Sequence, residues 1–198
     1  MSRLVLASAS ASRRSLLSAA GVDFVTAPAD IDEPALMRCL IGDGGDGRAI
    51  AEALAGEKAA QISRQRPAET VLGGDSVLEL DGEILGKCRD LDALRALLLR
   101  MSGRPHQLIS AAALARDGRV LWRHTSLARM TVRPLSEAFI DGYLAREGEK
   151  LLSSVGGYNF EGLGAQLFEK VEGDYFSILG LPLLEVLAAL RAEGLLQT

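Results

Sequence analysis

The sequence has little of what several common protein classes require. It holds two cysteines, Cys39 and Cys88, far apart along 198 residues, which argues against both a disulfide framework and a zinc knuckle. No apolar run approaches the roughly 18 residues that a membrane-spanning helix needs. The amino-terminal Met-Ser-Arg-Leu-Val-Leu-Ala lacks the long apolar segment of a secretory signal, so the expected location is the cytoplasm, with no membrane partner. Only two histidines occur, His106 and His124, without metal-ligand spacing, and both read as structural. There is no G-x-S-x-G nucleophile elbow, no repeat period and no low-complexity linker. Basic charge is also in deficit: 22 Lys+Arg stand against 26 Asp+Glu, a net charge of −4. That balance speaks against a stable nucleic-acid partner.

What is present is ordinary globular material, 48% hydrophobic and 24% charged, enough to exclude a disordered chain. Strand and helix patterns mix along the whole length. Residues 4–7, 24–27 and 71–75 read as short strands, and 77–80 with 83–85 as a hairpin about Asp81-Gly82. Residues 107–115 and 120–132 read as a longer hairpin about Asp117-Gly118. Helical spacing covers about 13–20, 48–62, 90–101 (Asp90 as N-cap), a segment from Ser136, and 183–192. Residues 166–171 and 175–179 are expected to pair across Glu172-Gly173-Asp174, and 41–47 to form a solvated loop. The expectation is one α/β domain, 1–198, with a mixed sheet.

Two phosphate-loop patterns fail on inspection. Gly42–Gly47 matches G-x-G-x-x-G, but its two aspartates repel a pyrophosphate. Gly82–Cys88 is one residue short of a P-loop and has Cys88 where Ser or Thr must hold magnesium.

Four polar segments remain. Ser8-Ala9-Ser10-Ala11-Ser12-Arg13-Arg14 combines small residues, hydroxyls and two arginines at a helix start. Arginines there oppose the helix dipole unless an anion sits among them; a solvated basic turn is an equal alternative. Asp32-Glu33 can hold a divalent cation or close a plain turn. Gly73-Gly74-Asp75-Ser76 puts a carboxylate directly after two glycines, as a metal ligand or general base needs, the alternative being an Asx turn. Gly86-Lys87-Cys88-Arg89-Asp90 is cationic, and Lys58 can join it. Acids for a metal with Arg and Lys for phosphates make up the equipment of phosphoryl or nucleotidyl chemistry.

At these residues the chain resembles the Maf family of nucleoside triphosphate pyrophosphatases, first described as septum-formation inhibitors. The resemblance runs through Leu6-Ala7-Ser8-Ala9-Ser10 with Arg13-Arg14, Asp32-Glu33, Glu57-Lys58-Ala59, Gly74-Asp75-Ser76-Val77, Gly86-Lys87 and Ser102-Gly103 with His106. It closes on Glu161-Gly162-Leu163-Gly164, Glu172-Gly173-Asp174-Tyr175 and Gly180-Leu181-Pro182-Leu183. It implies a two-lobed mixed α/β fold related to inosine triphosphate pyrophosphatases, a central cleft and a homodimer. It also implies cleavage between the α and β phosphates with Mg²⁺ or Mn²⁺. Asp75 would accept a proton from water or hold the metal, with Glu33 as its acidic partner. Ser8, Ser12, Arg13, Arg14, Lys58, Ser76 and Lys87 would bind substrate, Lys87 close to the reaction, and Glu161 would lie near the base or the water. Ser12, Ser76 and Glu161 fit neither the dTTP/UTP branch nor the 7-methyl-GTP branch fully, and Cys88 replaces a usual proline. The alternative is a nucleotide-binding regulator of cell division with little turnover.

Overall fold

The computed structural model describes residues 3–197. The strands are β1 (Leu4–Leu6), β2 (Phe24–Thr26), β3 (Thr70–Leu80), β4 (Glu83–Leu85), β5 (Pro105–Arg116), β6 (Arg119–Val132) and β7 (Phe168–Glu172). The helices are α1 (Ala11–Ala19), α2 (Glu33–Gly42), α3 (Gly47–Gln65), α4 (Leu91–Met101), α5 (Glu137–Glu147), α6 (Tyr175–Ile178) and α7 (Leu183–Ala192). Two short 3-10 turns, Gly148–Ser153 and Leu163–Leu167, complete the order. One sheet runs β2-β1-β3-β5-β6-β7, with β4 paired to β3. β1 is parallel to β2 and β3, and the other pairs are antiparallel. Among the described residues no helix is long and apolar enough to cross a membrane.

Local chemistry accounts for most boundaries. At both hairpins the Asp and Gly adopt positive φ, Asp81 at 53° with Gly82 at 80°, and Asp117 at 50° with Gly118 at 74°. Paired positive φ is what a two-residue turn between right-twisted strands demands. Asp90 accepts the Ala93 amide at 2.7 Å and so opens α4.

Three expectations need correction. Residues 71–75 and 77–80 form one continuous strand, because β5 pairs with it from Val71 to Glu79 without a break. Residues 175–179 do not form a strand: Asp174 accepts both the amide and the hydroxyl of Ser177 at 2.7 Å, which winds the chain into α6. β7 pairs with β6 instead. The segment after Asp32 is a helix, opened by the Asp32 cap on Ala35 at 2.9 Å with Pro34 in its first turn. No residue of α2 is fully buried: Leu36, Met37 and Leu40 pack half-buried against the α3 side of the core, so its apolar stripe is short and easily passed over in a sequence.

The sheet divides the core. One face lies under α3, where Ile50, Leu54, Ala55, Ala59 and Ile62 pack on Val5, Val71, Val77, Ile109 and Ala113. The other face carries two groups. Leu4, Leu6, Leu72 and Leu114 pack with Leu16 and Leu17 of α1 and Val186 and Leu190 of α7. Leu78, Leu80 and Leu108 pack with Leu94 and Leu98 of α4 and Ile140 and Tyr143 of α5.

β3 spans both groups. β1 covers its edge from Thr70 to Leu72, and β4 covers the same edge from Leu78 to Leu80. Among the described residues no strand pairs with residues 73–77 on that edge. The loop after β1 enters this gap from one side. The register Leu78↔Leu85 carries Gly86-Lys87, after β4, toward it from the other.

Candidate active site

Strand alternation sorts the residues of the gap. Gly73 and Asp75 face α3, and Gly74 and Ser76 face the opposite side. A Cβ on Gly73 would run into the Ala55 carbonyl and stand 2.8 Å from the Ala59 amide. Glycine here, with alanines opposite, lets α3 lie directly on the strand. That close seat brings Lys58 to Asp75: its ammonium donates to Asp75 Oδ1 at 2.5 Å and to Glu33 Oε1 at 2.8 Å. Asp75 and Lys58 are both buried, at 6% and 8% exposure. Glu33 reaches them from the first turn of α2, while Asp32 is spent on the helix cap.

Across the strand, Arg13 is held at three points. Its Nε donates to Gly180 O at 2.8 Å, Nη1 to Ser8 Oγ at 3.3 Å and Nη2 to Ser76 Oγ at 3.2 Å. Gly74 makes room for it, since a Cβ there would lie 3.0 Å from Arg13 Nε. Burial pushes the Asp75 carboxyl above the usual carboxylate range, opposed by Lys58 and then Arg13. Burial lowers the Arg13 value, opposed by Asp75 and Glu33; a guanidinium stays protonated in proteins. A carboxylate raised by desolvation and flanked by two cations is suited to proton transfer beside an anion.

A profile of the family described as Maf-like protein matches residues 3–193. The chain belongs to the Maf-like protein family. A protein named 7-methyl-GTP pyrophosphatase from Brucella suis biovar 1 (strain 1330) is 51% identical over 191 residues, 96% of each chain. One of the same name from Mesorhizobium japonicum is 50% identical over 192 residues, 97% of this chain and 96% of its own. Nucleoside triphosphate pyrophosphatase 1 of a Jannaschia species (strain CCS1) is 48% identical over 195 residues, 98% of each.

This Maf-like chain gathers Ser8, Arg13, Glu33, Lys58, Asp75 and Ser76 around the gap. Lys87 is exposed and forms no ion pair among the described residues. Arg14 turns away, donating to Ala9 O at 2.9 Å in its own loop. Ser12 is exposed and lines a neighbouring cleft of about 170 Å³ with Lys150, Tyr158, Asn159, Phe160 and Leu179. Glu161 is exposed, one residue beyond that lining.

Sequence reasoning passed over Ser110 and Ser177, and it named Asp174 and Gly180 within motifs without giving either a role. Ser110 carried a usable signal, a lone hydroxyl inside the apolar run from Leu108 to Leu114. Its hydroxyl donates to Ser177 O at 2.8 Å and lies 2.9 Å from Ser76 Oγ.

Proposed function

We propose that the protein hydrolyses nucleoside triphosphates between the α and β phosphates, giving a nucleoside monophosphate and pyrophosphate. The observation that carries this is a buried Asp75 at the unpaired edge of β3, with Lys58 on one side and Arg13 on the other. Water attacks phosphorus as the bridging P–O bond breaks. Its proton goes to Asp75, and the departing pyrophosphate takes the bridging oxygen with its electron pair. Arg13 and Lys58 set positive charge where the anion develops, and no covalent nucleophile is required. Lys87, at the end of β4, adds a third cation along the triphosphate.

A divalent ion fits the donors. Asp75 and Glu33 already converge on one cationic group, the Lys58 ammonium. Among the described residues no cluster of three or more His, Cys, Asp or Glu forms a closed metal cage. Magnesium and manganese are commonly held by one or two carboxylates together with substrate phosphates. Glu33 and Asp75 would hold the ion, which neutralises phosphate charge when bound.

The two packing groups on one face of the sheet, meeting at the β3 gap, support a two-lobed architecture of the inosine triphosphate pyrophosphatase kind with the site between the lobes. The cleft beside Ser12 is the place for sugar and base. The names of the Brucella and Mesorhizobium relatives favour a guanine-type base, 7-methyl-GTP included.

The test is product analysis on 7-methyl-GTP, GTP, UTP and dTTP with magnesium or manganese, then with excess chelator. Pyrophosphate is expected as the first product, with activity lost in chelator. Asp75→Asn should lower turnover on the order of 10²-fold or more while leaving nucleotide binding in place. Orthophosphate as the first product, or an active Asp75→Asn variant, would overturn the assignment.

A further inference from the structure

Between the two packing groups on the α1 and α4 face runs a belt of hydroxyls and carbonyls that holds Arg13. We infer that Ser110, a fully buried residue of β5, is a positioning residue that sets the direction of the phosphate-binding guanidinium through Ser76. This rests on the proposed function only in taking Arg13 to meet a phosphate.

The directions of the hydrogen bonds follow from counting protons. A serine hydroxyl has one proton to give. Ser110 must give its own to Ser177 O, because a carbonyl oxygen can only accept. In the 2.9 Å contact between Ser76 and Ser110, Ser76 is therefore the donor. With its proton committed, Ser76 receives Arg13 Nη2 on a lone pair. It has no proton left for a ligand. Ser76 thus serves the arginine and not the substrate, which alters the role expected from the sequence.

The chain of bonds closes into a ring. Gly180 N donates to Ser177 O at 3.0 Å, and Gly180 O accepts Arg13 Nε at 2.8 Å. Asp174 holds Ser177 by its amide and hydroxyl, so the 174–180 turn is a rigid abutment. The ring joins α1, β3, β5 and the turn before α7, segments up to 167 positions apart in sequence. A guanidinium carries five N–H groups. Gly180, Ser76 and Ser8 take three, leaving one on each terminal nitrogen, the fork that binds an oxyanion through two parallel bonds.

Without the Ser110 hydroxyl, Ser76 is free to rotate and donate elsewhere, and the fork loses one of its three supports. The experiment measures binding of α,β-methylene-GTP, whose α–β bridge water cannot cleave, by calorimetry at a temperature where every variant is folded. Ser110→Ala is expected to weaken binding about tenfold, and Ser110→Thr, which keeps the hydroxyl, to restore it to within about twofold. Arg13→Ala weakens binding further. In that background Ser110→Ala should have no additional effect, because Ser110 acts only through Arg13. Wild-type affinity in Ser110→Ala, or an undiminished loss in the Arg13→Ala background, would overturn the inference. Because the readout is binding, the result stands even if no pyrophosphate is released, an outcome that would count against the proposed function alone.

Discussion

Replacing Gly73 and Gly74 in turn by alanine should separate stability from function at neighbouring positions. Neither glycine has a left-handed φ, so alanine is compatible with the backbone at both, and restricting the unfolded chain favours it by about 0.4–1 kcal/mol. At Gly73 the new methyl meets the Ala55 carbonyl and the Ala59 amide, 2.8 Å away. These are backbone atoms of a packed helix, so α3 itself must move. Overpacking of this kind costs about 1–3 kcal/mol and occasionally more; against a rigid helix the net loss should be about 2 kcal/mol. For a domain of this size that lowers Tm by roughly 4–8 °C. At Gly74 the methyl meets Arg13 Nε at 3.0 Å and Cδ at 3.3 Å, the stem of a side chain that can swing. Tm should then stay within about 2 °C, while kcat/KM falls about tenfold or more as the guanidinium leaves its three anchors. Scanning calorimetry and pyrophosphate release on the two variants check both halves. Wild-type Tm in Gly73→Ala would refute the close seat of α3 on β3, and wild-type kcat/KM in Gly74→Ala would refute the role of Arg13.

Two further outcomes are expected. His106 is 2% exposed, and burial lowers its pKa to about 4. The unfolded chain, at about 6.5, takes up the proton first, so stability should fall as pH drops from 6.5 to 4, by about 3 kcal/mol in all. Urea unfolding across that window should show a shallower decline for His106→Phe; equal declines would reject the assignment. Glu161→Gln should move the ratio of kcat/KM values for GTP and UTP about tenfold toward UTP, because a glutamine can both donate to and accept from a pyrimidine edge whereas a carboxylate only accepts. Equal slowing of both nucleotides would show that Glu161 does not read the base.

Features set by near neighbours could be read from residue order alone. Asp81-Gly82 and Asp117-Gly118 turn because of their own backbone preferences, and Asp90 starts α4 with a bond three residues away. The mixed α/β class and the polar segments around Asp75, Lys58 and Arg13 were legible for the same reason. Where two local tendencies competed, the pattern misled. Tyr175 to Leu179 has a strand-like composition, but Asp174 supplies a helix cap that outweighs it. α2 is short, opens on its cap and proline, and sets only Leu36, Met37 and Leu40 half-buried against the core, too brief an apolar stripe to stand out in the sequence. The site itself belongs to the tertiary structure. Lys58 meets Asp75 because Gly73 admits α3 to the strand, and Arg13 meets Gly180 because α1 and the turn before α7 lie on the same face of the sheet. Strand order decides both encounters, and strand order is settled by which buried surfaces fit together across the whole chain. No short stretch of residues contains that information, so the roles of Ser76 and Ser110 became visible only once β3 and β5 lay side by side.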